Sequence, residues 1–436
     1  MTTAATSSAP VPTVSVSDQP SAPVAPKLRP RPRLGLGSAL IGKEEEQLVL
    51  QVLHSRDLFR YYGHDPANPP QMAAQLEKEL REMVGAKYAL AVTSGTAALE
   101  VALAALGVGP GDEVIVPAWS WISCFTSVVR VGALPVLAEI DDTFCIAPGE
   151  ITRLKSANTK AVIVVHYQGV AADLDALCRE AADAGIKLLE DCAESLGASY
   201  HGKPLGSIGD ISIFSFQHNK FATSGEGGAV ATSDPLLYER AVRMSDLGQV
   251  RPYHQEIARP QTEAFAGDQF RMSELTAAVA LGQLRRVERI KIHCRRIRQR
   301  IVDGIAGLPG LAMRRIPDAD GDTAFEVYFS LPTADQANEF RTRLDAMNVN
   351  SRQTTGTYCH YARDYCITGL AHHPKASPFA KFKTWPAPGY RKEDFPRTES
   401  IIHGFIALPI GALYTDQDAD YIAQCVRHVH AEMAIQ

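Results

Sequence analysis

Ile211-Ser-Ile-Phe-Ser-Phe-Gln-His-Asn-Lys-Phe-Ala-Thr-Ser-Gly-Glu-Gly-Gly228 is the stretch on which the reading of the chain turns. It starts as an alternating apolar strand. It ends in a small Gly-rich turn, where the backbone can come close to a ligand because no Cβ intervenes. Between the two stands Lys220, flanked by Phe216 and Phe221. An amine in apolar company loses hydration, which favours its neutral, nucleophilic form. Most lysines near a turn are solvated surface residues, so the surroundings must decide.

The chain has 436 residues, enough for two domains with a sizeable core. Its 45% apolar and 21% charged content is that of a soluble globular protein. A net charge of −5 argues against nucleic acid as a partner. The eight cysteines form no C-x-x-C pair, which argues against a metal site. They read as reduced core residues of a cytoplasmic protein. No apolar run is long enough to span a membrane. Residues 1–32, rich in Ala, Pro, Ser, Thr and Val, lack the pattern of a secretory signal and read as a disordered tail with a basic end, Lys27-Leu-Arg-Pro-Arg-Pro-Arg33.

Outward from Lys220, strands alternate with helices. Tyr88 to Thr93 reads as a buried strand, followed at once by Ser94-Gly-Thr-Ala-Ala98 and a small-residue helix to about Leu106. A strand, a Ser-Gly-Thr turn and a helix start form a phosphate cradle, although a plain N-cap at Ser94 or Thr96 fits the same residues. No dinucleotide or P-loop pattern occurs. Glu113 to Val116 is a strand that runs into Pro117-Ala-Trp-Ser-Trp-Ile-Ser123, which holds two of the chain's three tryptophans. Either ring can stack on a planar ligand or pack in the core. Further strands are Leu134–Ala138, Ala161–Val165 (ending at His166), Ile186–Leu189 and Ala229–Thr232. The pattern predicts a mainly parallel sheet with helices on both faces. Glu190-Asp-Cys-Ala-Glu194 puts two adjacent carboxylates at a strand end, which makes Asp191 a candidate partner for a charge in a cleft. Ser273 to about Arg300 reads as one long helix, with Arg285 to Lys291 a solvated face of mixed charge. Thr323–Leu331 (strand), Gln336–Met347 (helix) and Thr415–Gln436 (helix) make a smaller α+β domain. The predicted boundaries are 33–290 for the large domain and 291–436 for the small one.

One cofactor chemistry needs all of these parts. Pyridoxal phosphate requires a lysine to hold its aldehyde as a Schiff base, an acid to keep its ring nitrogen protonated, a phosphate site and a flat group on its face. Lys220, Asp191, Ser94-Gly-Thr-Ala97 and a tryptophan supply the four, each at a strand end.

These motifs, with Gly111-Asp-Glu-Val-Ile-Val-Pro117, Gly132-Ala-Leu-Pro-Val136, Gly206-Ser-Ile-Gly-Asp210, Gly225-Glu-Gly-Gly228 and Phe270-Arg-Met-Ser-Glu274, resemble the DegT/DnrJ/EryC1/StrS sugar aminotransferases from about Gly42 to the C-terminus. The resemblance implies an α/β chain of the aspartate-aminotransferase-like, fold-type-I class of pyridoxal-phosphate-dependent transferases. It also implies a homodimer with shared active sites, an amino donor that is glutamate or glutamine, and a carbonyl acceptor on a sugar, sugar acid or cyclitol. Carried across, Lys220 is the Schiff-base lysine and proton shuttle, and Asp191 holds the pyridinium. Trp121 covers the ring, while Gly95, Thr96 and Ser215 bind phosphate. Glu194 falls where the family usually has Gln or His near the cofactor's O3′. Gln269 falls where many members have an Asn that reaches the partner's phosphate. Arg60, Tyr61, His166, His218, Arg251, Arg271 and Arg352 are candidate substrate contacts. The Arg60-Tyr-Tyr-Gly63 loop and Ile316-Pro-Asp-Ala-Asp-Gly-Asp322 resemble the branch of 8-amino-3,8-dideoxy-manno-octulosonate transaminases. Two alternatives are a dehydratase of the same family, in which a His replaces the lysine, and a non-catalytic homologue. Intact Lys220 and Asp191 speak against both.

Overall fold

The computed structural model describes residues 25–35, 37–60, 71–354, 356–379 and 389–435. Nine strands come first: β1 (Tyr88–Val92), β2 (Glu113–Pro117), β3 (Leu134–Ala138), β4 (Thr159–Val165), β5 (Lys187–Asp191), the short hairpin β6 (Ser199–Tyr200) and β7 (Lys203–Pro204), β8 (Ile211–Ser215) and β9 (Gly228–Thr232). Seven of them form one sheet in the order β1-β9-β8-β5-β4-β2-β3. The β2/β3, β2/β4, β4/β5 and β5/β8 pairs are parallel, and only β9 runs against its neighbours, β1 and β8. Strands β2, β8 and β9 are buried along their whole length, as a sheet covered by helices on both faces requires.

The register fixes the site. Val92 and Ser215 both pair with Gly228, and Asp191 pairs with Ile213 of β8. The C-terminal ends of β1, β5 and β8 therefore meet at one sheet edge, where open α/β sheets bind ligands. Asp191 lies inside β5, two residues beyond the strand end expected from the sequence, so its side chain is set by the sheet.

A four-stranded antiparallel sheet, in the order β10 (Ala312–Met313), β11 (Glu326–Ser330), β13 (Phe405–Pro409), β12 (Arg352–Gln353), carries a second apolar core with the helices Val287–Ile305, Ala334–Ala346 and Asp416–Glu432. Ile290, Cys294, Ile297, Ile301 and Ile305 line the core-facing stripe of the first of these helices. The second core reaches the residue after Lys220, where Phe221 stacks on Phe325 with ring centroids 3.4 Å apart. Among the described residues no helix is long and apolar enough to cross a membrane.

Two expectations are corrected. The helix predicted over Ser273–Arg300 is two helices, Glu274–Leu284 and Val287–Ile305, separated at Arg285-Arg286. The first packs its small residues between helices Lys43–Ser55 and Met72–Val84, while the second turns toward the other core. Arg285, Glu288 and Arg289 are exposed, as the solvated face predicts, and Arg286 is the exception. Arg286 is mostly buried and pairs with Glu45 at 2.7 Å, and Arg285 pairs with Glu79 and Glu44. The second correction concerns residues 25–32, expected to belong to a disordered tail. They lie along the C-terminal helix, where Arg29 Nη1 donates to the Gln417 carbonyl at 2.8 Å and Asn348 donates to the Arg29 carbonyl at 2.9 Å. Residues 1–24 lie outside the described residues.

Candidate active site

The helix Gly95–Ala105 begins directly after β1 because Ser94 caps it. Its hydroxyl accepts from Ala97 N at 3.0 Å, and its carbonyl accepts from Ala98 N at 2.9 Å. The N-cap and the phosphate cradle were alternatives in the sequence, and in the structure they coexist. With Ala97 and Ala98 satisfied, the N–H groups of Gly95 and Thr96 remain as the open donors at the positive end of the helix. The Thr96 hydroxyl is 2.8 Å from that of Ser123. Two glycines shape the floor. A Cβ on Gly95 would come within 2.9 Å of Ser215 Cβ, and one on Gly228 within 2.4 Å of the Ser94 carbonyl carbon and oxygen. Ser215, at the end of β8, thus closes against the helix start.

Asp191 is 5% exposed. Its Oδ1 accepts from Ala193 N at 3.0 Å and its Oδ2 from the Cys124 thiol at 3.3 Å. Burial pushes its carboxyl above the usual range, against the pull of the Ala193 N–H, the Cys124 thiol and the Lys220 charge. A nearby cation therefore has the most to offer this carboxylate. Lys220 Nζ is 3.1 Å from Glu194 Oε1, while Glu194 Oε2 is buried with no hydrogen-bond partner among the described residues. The lysine's loop is held by Lys220 N donating to the Gln217 carbonyl at 2.9 Å and by Gly37 N donating to the Lys220 carbonyl at 3.2 Å. Of the two tryptophans after β2, Trp119 is core, edge-on to Tyr167 and Tyr358, whereas Trp121 is 58% exposed. Only Trp121 offers an open ring face. Gln269 is exposed on a loop bridged to Asp246, and His218 is exposed on the lysine's own loop.

Other candidates are used up by the fold. Arg60 is buried, pairs with Glu77 and donates to the Ala91 carbonyl at 3.1 Å, so it ties the loop to β1 instead of facing a substrate. Arg251 and Arg271 both pair with the fully buried Asp246 and stand over the Phe59 ring at 5.7 and 5.1 Å. His166 is fully buried and has no face toward the cleft. Its Nδ1 accepts from Ala172 N at 3.1 Å, so Nε2 carries the proton and donates to Glu190 at 3.1 Å. Glu190 also accepts from Gly206, Ile208 and Gly209 N at 3.0, 2.8 and 2.7 Å. Burial pushes that carboxyl up, but the His166 contact and these N–H groups outweigh it and hold it below its usual range. His166, Glu190 and Cys192 have ligand atoms within 4.8 Å of one another, yet the first two are saturated by hydrogen bonds, which leaves a structural cluster in place of a metal centre. Arg352 donates to the Tyr328 hydroxyl at 3.0 Å and pairs with Glu326, and its side chain is 35% exposed. Tyr61 lies outside the described residues. Cys124 was missed as a site residue. Nothing in its sequence context separates it from the other core cysteines, all of which are free thiols.

A lysine, a buried strand-end acid and a glycine-floored helix start at the carboxyl edge of this sheet define a fold-type-I, pyridoxal-phosphate-dependent transferase. The model of the DegT/DnrJ/EryC1/StrS aminotransferase family matches residues 41–427, and the chain belongs to that family of aminotransferase enzymes. Similar proteins include the spore coat polysaccharide biosynthesis protein SpsC of Bacillus subtilis, 31% identical over 401 residues, which covers 89% of this chain and 95% of that protein. The L-glutamine:2-deoxy-scyllo-inosose aminotransferase of Streptomyces fradiae is 39% identical over 252 residues, 56% of this chain and 58% of that one. Among solved structures, 3-amino-5-hydroxybenzoic acid synthase superposes with a TM-score of 0.75 at 27% identity, covering 94% of this chain and 100% of that one.

Proposed function

We propose that the chain moves an amino group from glutamate or glutamine to a keto or aldehyde group of a sugar, sugar acid or cyclitol, using pyridoxal phosphate held at the edge of the large sheet. The observation that carries this reading is the convergence of Lys220, Asp191 and the Gly95–Ser215–Gly228 floor at one edge of the large sheet. The floor is too close for any side chain but leaves open N–H donors above it. The residues fit the cofactor. Gly95, Thr96 and Ser215 suit its phosphate, Asp191 its ring nitrogen, Trp121 its face and Lys220 its aldehyde, and the unpartnered Glu194 Oε2 awaits a donor. Bound there, the cofactor supplies a carbonyl that carries the amino group between donor and acceptor, and a ring that takes up the electron pair left when the donor's Cα–H bond breaks.

The protein's own work is then positional and protonic. Lys220 takes the proton from the donor's Cα and returns it on the carbonyl side. Asp191, locked by two donors, holds a positive charge beside it without reorganising. In this reading two copies share their sites, with the exposed Gln269 reaching the partner's phosphate position. The acceptor belongs to the class handled by the relatives, which are named for polysaccharide and inosose chemistry. The narrower likeness to octulosonate transaminases draws no support from its second segment, because Asp318 is engaged by His201 N at 2.7 Å and Asp322 by Arg298.

The test is to load the protein with pyridoxal phosphate and mix it separately with L-glutamate and L-glutamine. Loss of the visible absorbance with at least one donor, together with release of its oxo acid, is the expected result. Retention of the absorbance with both overturns the donor assignment.

A further inference from the structure

Glu194 stands three residues beyond the end of β5, with Oε1 3.1 Å from Lys220 Nζ. Its second oxygen, Oε2, is buried and has no partner among the described residues. Burying an acceptor without a donor is costly, and such atoms persist in native structures where a function uses them. The Lys220 and Glu194 side chains are 22% and 25% exposed, so water screens the pair only in part. The titratable and charged groups around it are Asp191 at the end of β5, Cys124 on the helix after β2, and Tyr167 after β4 with Arg352 and Glu326 of the small sheet beyond it. Asp191 is engaged by Ala193 and Cys124, which leaves Glu194 as the carboxylate in contact with the lysine.

We propose that Glu194 is a catalytic residue, the proton partner of Lys220, which holds the proton on Nζ while the lysine is charged and takes it when the lysine must act as a base. In that step an N–H bond of the ammonium breaks, its electron pair stays on nitrogen as the lone pair, and an O–H bond forms on Glu194. One cation and one anion become two neutral groups, and no net charge crosses the cleft. Lys220 recovers a basic amine, the proton on the partly exposed Glu194 exchanges with solvent, and the reverse transfer resets the pair. A Gln at this position can accept a hydrogen bond from the ammonium but takes no proton. The inference rests on the reading that Lys220 carries the cofactor.

The experiment compares the wild type with Glu194→Gln and Glu194→Asp, all loaded with pyridoxal phosphate. Borohydride reduction followed by peptide mass analysis first establishes that Lys220 is labelled in each. The visible absorbance is then titrated with pH. A carboxylate beside the nitrogen favours its protonated form, so E194Q moves the midpoint down by about one pH unit, and E194D restores most of the shift. Exchange of the Cα hydrogen of L-glutamate with deuterated solvent falls on the order of a hundredfold in E194Q. Labelled variants with an unchanged midpoint and unchanged exchange overturn the role of Glu194 alone. Absence of the Lys220 label from the wild type overturns the reading beneath it.

Discussion

The Cys124 thiol donates to Asp191 Oδ2 at 3.3 Å, so a helix that opens after β2 holds the acid at the end of β5. Ala193 N secures the other oxygen, and the carboxylate has little freedom left. Removing the thiol leaves a buried acceptor unpaired, at a cost of about 1–3 kcal/mol. Cys124→Ala is therefore expected to weaken pyridoxal phosphate binding about tenfold, while Cys124→Ser, which keeps a donor, stays close to the wild type. Spectral titration of the cofactor-free protein measures both. Equal affinities for Ala and wild type would remove Cys124 from the site.

Gly228 makes a separate prediction. The start of β9 lies so close to Ser94 that Gly228→Ala must push the helix start away from Ser215. Overpacking of this kind costs about 1–3 kcal/mol. The variant is expected to melt several degrees lower and to lose most of its cofactor retention, whereas Gly185→Ala, at a position with open space but a left-handed φ of 66°, lowers the melting temperature alone. Full cofactor retention in Gly228→Ala contradicts the cradle.

Arg60 separates structural from substrate roles. Its guanidinium and Glu77 form a pair whose side chains are 5% and 12% exposed. Removing one partner strands the other charge, at about 3–5 kcal/mol. Arg60→Met is expected to lower the denaturant midpoint strongly while leaving the KM of the remaining folded enzyme unchanged. A stable variant with a raised KM for the acceptor would return Arg60 to the list of substrate contacts.

Buried histidines contribute to the acid side of the stability curve, and among the described residues His360 is one of two pushed down to about 3. His360 is fully buried with Nε2 2.9 Å from the Ser120 hydroxyl, and burial, aided by the Arg363 charge, pushes its imidazole down to about 3. The folded value lies below the unfolded one, so the unfolded chain binds the proton first. The stabilising contribution is full above about 6.5 and is lost as pH falls from there toward 3. Urea midpoints between about pH 7 and about pH 5 are expected to fall less steeply in His360→Asn than in the wild type. Parallel slopes would assign the acid sensitivity elsewhere.

The strands of the large sheet were legible in the sequence because their cores are continuous apolar runs bounded by turns, and Leu134–Ala138 matches residue for residue, whereas Phe405–Pro409 of the small sheet was not foreseen. Lys220, Asp191 and Ser94 were legible for the same reason, since each follows or ends such a run. What the sequence hid is what depends on distant partners. The reversed direction of β9 follows from pairing across the sheet and leaves no trace in Gly228–Thr232 itself. The break at Arg285-Arg286 depends on Glu45 and Glu79, some two hundred residues away in the chain. Arg60 and His166 carry the side chains of a binding site, but Glu77 and Glu190 had already claimed them. A charged residue near a cleft shows its chemistry in the sequence, whereas its availability is settled only by the fold.

The central claim is that Lys220 carries the cofactor. Borohydride reduction of the loaded wild-type protein, followed by proteolysis and mass analysis of the peptide spanning Ile211 to Gly228, tests it most directly. The account predicts a phosphopyridoxyl group on Lys220 and its loss in Lys220→Ala. A label on any other lysine, or a visible absorbance that survives in Lys220→Ala, would contradict it.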